Sequence, residues 1–197
     1  MTGEGGKAGW RARLRATRRA LGPEDLAAAA DALGEHLLDR LAGTGRVAAY
    51  VPVGPEPGSV ELLDALRGGG TEVLLPVIVP GGLDWVAYRG RAELVAGALG
   101  TREPTGPRLG AAALGTADVV LVPALAVDRA GSRLGRGGGH YDRALAVVGC
   151  GAVVAALLHD GELVPHLPRD PWDRPVTAAV TPAAGWTELP VVEHHDG

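Results

Sequence analysis

The chain has no phenylalanine, and aromatic residues make up only 4% of it. A core built on stacked rings is excluded, so the interior has to be assembled from Ala, Val and Leu. A single cysteine, Cys150, excludes both an internal disulfide framework and a multi-cysteine zinc site. No apolar run approaches the roughly 20 residues of a membrane span, and none near Met1 has the character of a signal peptide. No membrane partner is expected, and a soluble, cytoplasmic protein is. Basic charge is not in excess: 19 Lys and Arg stand against 23 Asp and Glu, for a net charge of −4. Nothing in that balance suggests nucleic acid as a partner. What the chain has in quantity is glycine, 31 residues, and proline, 15 residues, which require many turns. Its 197 residues fit one domain, able to bury roughly 70% of its unfolded surface.

No internal repeat, long linker or low-complexity block divides the sequence. Residues 1–8 read as a disordered N-terminus, 9–185 as the folded domain and 186–197 as a flexible tail, in which His194 and His195 alone are weak grounds for a metal site. Helical character begins near Lys7. At about 100° per residue, Arg11, Arg15, Arg18 and Arg19 share one face beside an apolar stripe of Trp10, Leu14 and Leu21. That face suits a solvated surface, an RNA-binding arm or an anion clamp. Gly22-Pro23-Glu24-Asp25 opens a second helix, with proline in the first turn and acids at the positive dipole end, running to about Leu41. Arg46 to Val53 reads as a first strand. It opens into a Pro/Gly loop carrying Glu56, and Ser59 caps a helix from Val60 to Leu66. Thr71 to Val79 reads as a second strand and Leu83 to Tyr88 as an edge hairpin strand. Trp85 there is either a core anchor or a stacking surface. Gly151 to Leu158 and Val176 to Thr181 read as further strands, the second as the last. Alternating strands and helices predict an α/β fold: a single-domain, Rossmann-like three-layer sandwich with a mostly parallel central sheet.

The chain is organised around Asp118 to Ala146. Asp118 to Asp128 is a continuous apolar run suited to a strand buried on both faces. The glycine run Gly135 to Gly139 then feeds an expected helix from Tyr141 to Val148. Strand, glycine loop and helix start in that order can cradle a phosphate, with Arg133, Arg136 and Arg143 nearby. The spacing matches neither a Walker loop nor a dinucleotide fingerprint, so a flexible turn fits the spacing equally. Asp142, in the helix's first turn, either complements the dipole or serves as a Mg²⁺ ligand beside bound phosphates.

The residues themselves go further. Arg133-Leu134-Gly135-Arg136-Gly137-Gly138-Gly139-His140-Tyr141-Asp142, preceded by Val122 to Ala126 and Asp128, resembles the signature of the 5-formyltetrahydrofolate cyclo-ligases, also called methenyltetrahydrofolate synthetases. The family's usual form has a tyrosine where His140 stands. Shorter matches occur in family order: Arg11 with Leu14-Arg15, where the family usually has lysine for Arg11; Tyr50, Glu56 and Ser59, with Ser for Thr; Leu75-Pro76; Gly100 to Pro104, containing Glu103; Pro168 and Asp173; and the Val-Thr ending of the last strand. Glu162 replaces a glutamine and Trp172 a histidine.

The resemblance implies ATP-dependent conversion of 5-formyltetrahydrofolate to 5,10-methenyltetrahydrofolate with release of ADP and phosphate. It implies ATP and Mg²⁺ as cofactors, the folate as small-molecule partner, and a monomer. ATP would be held by Arg11, Arg15, Arg133, Leu134, Gly135, Arg136, Gly137, Gly138, Gly139, His140 and Tyr141. The folate would be held by Val51, Glu56, Glu103, Arg136 and His140, and Mg²⁺ by Asp142 and Asp173. Arg136, Tyr141 and Glu56 would act in catalysis. The departures at His140, Glu162 and Trp172 leave a second class open: a nucleotide- or folate-binding relative with a regulatory role.

Overall fold

The computed structural model describes residues 6–149, 151–170 and 173–190. Cys150, Trp172, His194 and His195 lie outside the described residues. In chain order the elements are α1 (Lys7–Arg19), α2 (Pro23–Arg40), β1 (Arg46–Ala48), α3 (Val60–Gly68), β2 (Glu72–Val79), β3 (Gly82–Ala87), β4 (Leu94–Ala96) and β5 (Arg102–Pro104). After these come β6 (Val119–Pro123), β7 (Ala126–Asp128), β8 (Arg133–Leu134), α4 (His140–Ala144), β9 (Val153–Leu157), β10 (Leu163–Val164), β11 (Ala178–Thr181) and β12 (Gly185–Glu188).

Seven strands form the central sheet in the order β12-β11-β9-β6-β1-β2-β3. The five inner strands run parallel, and β3 and β12 close the two edges antiparallel. Alternation along each strand divides the apolar residues between two faces. Val47, Val73, Leu75, Leu121, Leu157 and Val180 meet Leu33, Leu37 and Leu41 with Leu62, Leu63 and Leu66, on α2, α3 and the residue that ends α2. Ala48, Leu74, Val120, Val122, Val154 and Ala156 meet Trp85, Leu114 and Leu145 on the other face. Small strand residues and leucine-bearing helices thus fill the volume that absent phenylalanines leave. Trp85 is a core anchor, 1% exposed. Ser59 caps α3 as expected, its Oγ accepting from the Leu62 amide at 3.1 Å.

Four expectations need correction. The first strand stops at Ala48 rather than Val53, because Pro52, Pro55 and Pro57 have no N–H for a ladder and the chain turns out of the sheet. The run Asp118 to Asp128 is two strands. β6 belongs to the central sheet, while β7 joins β8 and β10 in a separate three-stranded sheet. The break follows Pro123. The helix after the glycine run is five residues long and then tightens into a 3₁₀ turn, Leu145–Val147, before β-branched Val148 and Gly149; no long helix dipole points at the loop. Finally, β12 occupies the start of the segment assigned to a flexible tail. Gly185 takes a positive φ of 66°, and the strand pairs with β11 from Gly185 to Glu188.

The order has a functional consequence. From β1 the chain proceeds to β2 on one side and later to β6 on the other. Loops leaving the carboxyl ends of β1 and β6 therefore diverge, and a crevice opens between them.

Candidate functional site

A cleft of about 430 Å³ occupies that crevice. The loop after β1 contributes Val51, Val53 and Glu56, and the end of β6 with the turn after it contributes Pro123 to Leu125. The fold also brings Lys7, Arg11 and Arg18 of α1, the whole of Arg133 to Asp142, Glu103, Asp170 and Asp173 to its walls. Every residue assigned from the sequence to nucleotide, folate or metal lines this one cleft except Arg15.

α1 is placed by its apolar stripe. Leu14 is buried against Leu125, Ala126 and Leu134, with Trp10 packed beside them. Leu134 is therefore first an anchor for α1, 1% exposed. The basic face then meets the glycine loop. Arg11 Nε donates to the Gly135 carbonyl at 2.9 Å and Arg15 Nη2 to the Arg136 carbonyl at 2.8 Å. Arg15 itself is exposed. Gly137 and Gly139 hold positive φ, 109° and 65°, which favours glycine. At Gly138 the need is spatial, since a Cβ there would stand 2.8 Å from His140 Nδ1.

Arg133 is buried beneath this loop, its side chain 3% exposed, and Nη2 donates to Asp142 Oδ1 at 2.5 Å. Its Nε and the hydroxyl of Tyr141 are buried donors without a partner among the described residues, as are the indole N–H groups of Trp85 and Trp186. Such groups cost about 1–3 kcal/mol each when left unmade. Arg133 and Tyr141 line the cleft, and their two donors suit an oxygen-rich anionic ligand. Burial, then the charge of Glu56, pushes the Tyr141 phenol above its ordinary range, so it stays protonated and able to donate. Tyr141→Phe is expected to leave the melting temperature unchanged or higher, because an unsatisfied hydroxyl is removed, while turnover falls about 10-fold or more. Calorimetry beside a rate assay checks both; a large drop in melting temperature would mean the hydroxyl is structurally bonded.

Glu56 is nearly enclosed, its side chain 8% exposed. Oε2 accepts from the Val53 amide at 2.9 Å and Oε1 meets Arg136 Nη2 at 2.9 Å. Arg136 also reaches the Val53 carbonyl at 3.4 Å, so it clasps the Glu56 loop across the mouth of the cleft. Burial raises the Glu56 pKa from 4.5, and the charge of Arg136 only partly offsets that. A carboxyl whose folded pKa is raised contributes stability below its unfolded value and loses it as pH climbs through the folded value. The stability of wild type relative to Glu56→Gln should therefore fall as pH rises from about 4.5; denaturant titrations of both proteins across that window check the sign.

The acids assigned to metal each already face a cation. Asp142 is on Arg133, and Asp173 Oδ2 lies 2.5 Å from the ammonium of Lys7, which also holds Asp170 at 2.6 Å. Lys7 is the chain's only lysine. Burial alone would lower its pKa, but the hydrogen bonds and charges of the two aspartates carry it above 10.5. Among the described residues no group of three or more His, Cys, Asp or Glu could hold a metal unaided. Two carboxylates in one cleft do fit Mg²⁺, which is commonly held by one or two carboxylates together with phosphate oxygens.

Glu103 accepts from the Ile78 amide at 3.1 Å and from Thr101 Oγ1 at 3.3 Å. Gly97 makes its room, since a Cβ there would stand 2.4 Å from Glu103 Cγ. Val51 is buried in the wall and His140 opens α4. Sequence reasoning did not single out Lys7, though its position one turn before Arg11 on the same face was a usable signal. Nor did it find that Arg18 and Glu162 pair: Arg18 Nε and Nη2 each reach a Glu162 oxygen at 2.7 Å, with both side chains about 95% buried. Trp172, the third departure, lies outside the described residues.

The strand order and a cleft at the carboxyl ends of the parallel strands define a ligand-binding protein of the open-sheet α/β class. The chain matches the 5-formyltetrahydrofolate cyclo-ligase family over residues 4–182. It is 50% identical over 149 residues to the 5-formyltetrahydrofolate cyclo-ligase of Mycolicibacterium smegmatis, covering 73% of this chain and 76% of that one. With the Escherichia coli K12 enzyme of that name it shares 33% identity over 183 residues, 88% of this chain and 98% of the other. The NMR structure of Aquifex aeolicus 5,10-methenyltetrahydrofolate synthetase superposes with a TM-score of 0.76 at 28% identity, covering 96% and 97% of the two chains. The Mycoplasma pneumoniae synthetase shares the fold at a TM-score of 0.70 and 18% identity, over 88% of this chain and 96% of that one. This chain belongs to the 5-formyltetrahydrofolate cyclo-ligase family, a family of enzymes.

Proposed function

We propose that the protein converts 5-formyltetrahydrofolate to 5,10-methenyltetrahydrofolate at the expense of ATP, releasing ADP and phosphate. The observation that carries this reading is one cleft that gathers Arg11, Arg133 and Arg136 around the Gly135 to Gly139 loop, with two buried donors, Arg133 Nε and Tyr141 Oη, that have no partner among the described residues. In the proposed reaction, transfer of the γ-phosphoryl group to the formyl oxygen converts a poor leaving group into phosphate and releases ADP. N10 then attacks the formyl carbon, its proton is lost and phosphate departs. Little covalent chemistry falls to the protein; its work is positioning and charge neutralisation. Arg133, Arg136 and Arg11 with the Gly135 to Gly139 loop are assigned to the phosphates. Glu56, enclosed and acceptor-only when ionised, with Glu103, Val51 and His140, is assigned to the folate. Asp142 and Asp173 would hold Mg²⁺, whose contribution is neutralisation of phosphoryl charge.

Pairing with Arg18 satisfies Glu162 within the fold, which supports retained turnover despite that departure. The test is direct: purified protein, 5-formyltetrahydrofolate, ATP and Mg²⁺, with methenyltetrahydrofolate followed by absorbance. Product that appears only when ATP is present supports the proposal. ATP binding without product would favour the regulatory reading.

A further inference from the structure

Within its own loop Glu56 is held by one amide, that of Val53. Pro52 to Gly58 contains three prolines and two glycines; the prolines have no N–H, and both glycines take positive φ, 59° at Gly54 and 102° at Gly58. Side chains from elsewhere fix the loop's carbonyls instead. Tyr50 Oη donates to Pro57 O at 2.7 Å, Arg136 reaches Val53 O, and His159 Nε2 lies 3.0 Å from Pro55 O. A carbonyl only accepts, so Nε2 must carry the proton in this contact. The residue whose carbonyl His159 holds immediately precedes Glu56.

His159 is itself held. It is 7% exposed, and its backbone N–H donates to Glu162 Oε2 at 2.7 Å. The Glu162 carboxylate is gripped at both oxygens by Arg18, whose Nη2 also donates to Ala124 O at 2.6 Å. A continuous set of bonds therefore runs from α1 through the buried ion pair to the imidazole and on to the Glu56 loop. Arg136, whose side chain is about half exposed, holds the same loop at the Val53 carbonyl.

We propose that His159 is a positioning residue for Glu56, fixing the peptide before it so that the carboxylate meets the folate in one place. The inference rests on the assignment of Glu56 to folate binding. Two variants separate reach from bulk: His159→Leu removes the donor, whereas His159→Gln keeps an N–H that can reach Pro55 O. His159→Leu should raise KM for 5-formyltetrahydrofolate about 10-fold or more with KM for ATP nearly unchanged, and His159→Gln should recover most of that loss. A general loss of folded protein would lower the maximal rate and leave both KM values unchanged. If His159→Leu fails to fold, His159→Asn, polar but too short to reach Pro55, provides the same comparison. An unchanged folate KM, equal rises for both substrates, or no rescue by glutamine would overturn the proposal. A wild type that binds the folate without turning it over would overturn the functional reading alone, and folate Kd in the same variants would then report on His159. A wild type that binds no folate would overturn both.

Discussion

Arg133→Met should reduce turnover about 100- to 1,000-fold, the usual cost of removing one preorganised donor from a water-poor site. Arg133 is the most enclosed of the cations assigned to the phosphates. Its side chain is 3% exposed, Asp142 fixes Nη2, and the guanidinium carbon lies 6.0 Å from the centroid of the Tyr141 ring. Gly135 accommodates it, since a Cβ there would stand 2.9 Å from Arg133 Nη1. Nη1 reaches the Pro123 carbonyl at 3.5 Å, and Nε has no partner among the described residues. Met retains an apolar stem of similar length, and the Asp142 side chain is 30% exposed, so water can solvate the carboxylate left behind. The loss should therefore fall on activity and nucleotide affinity more than on stability. Lys is not expected to rescue, because a single ammonium cannot serve Asp142 and the Nε direction at once. Titration calorimetry with a non-hydrolysable ATP analogue, beside the rate assay, checks the effect. Unchanged affinity and rate would remove Arg133 from the phosphate site.

Arg18→Met should cost about 3–5 kcal/mol of stability, the range for stranding one partner of a buried ion pair. The geometry is of the demanding kind: two oxygens on two nitrogens at 2.7 Å, both side chains nearly inaccessible, and a backbone N–H on the same carboxylate. Without Arg18, Glu162 must either remain charged where water cannot reach or take up a proton. Arg18→Met with Glu162→Gln should be more stable than Arg18→Met alone, because a neutral amide oxygen can still accept from the His159 N–H. Urea unfolding of the three proteins checks this ordering. A single-variant loss below about 1 kcal/mol would show that the pair is solvated, as exposed pairs are.

These two residues show how far the sequence could be read. Helical spacing put Arg18 on the basic face with Arg11 and Arg15, and that face does meet the glycine loop. Yet Arg18 turns inward to an acid 144 positions away, a partner that no local pattern can name. The parallel sheet was legible because apolar runs alternate with helices, and α2 was legible from its Gly-Pro-Glu-Asp start. The split after Pro123 was not, because Ala124 to Val127 continue the buried apolar run of β6 and only pairing with β8 and β10 sets β7 apart. β12 was missed for a related reason. Gly185 to Glu188 carries little apolar signal of its own, and its stability comes from pairing with β11 and from Trp186 packing on the core. The cleft was legible mainly as a motif. Its residue types are local, but the Lys7 link to Asp170 and Asp173 again spans nearly the whole chain.

The glycine loop, served by α1 and Arg133, is the proposed triphosphate site. A crystal structure with a non-hydrolysable ATP analogue and Mg²⁺ tests it most directly. The triphosphate should lie against Gly135 to Gly139, within hydrogen-bond distance of Arg133 Nε, with α1 still docked through Leu14. Phosphates bound elsewhere on the molecule, with Arg133 Nε and Tyr141 Oη still unpartnered, would contradict it.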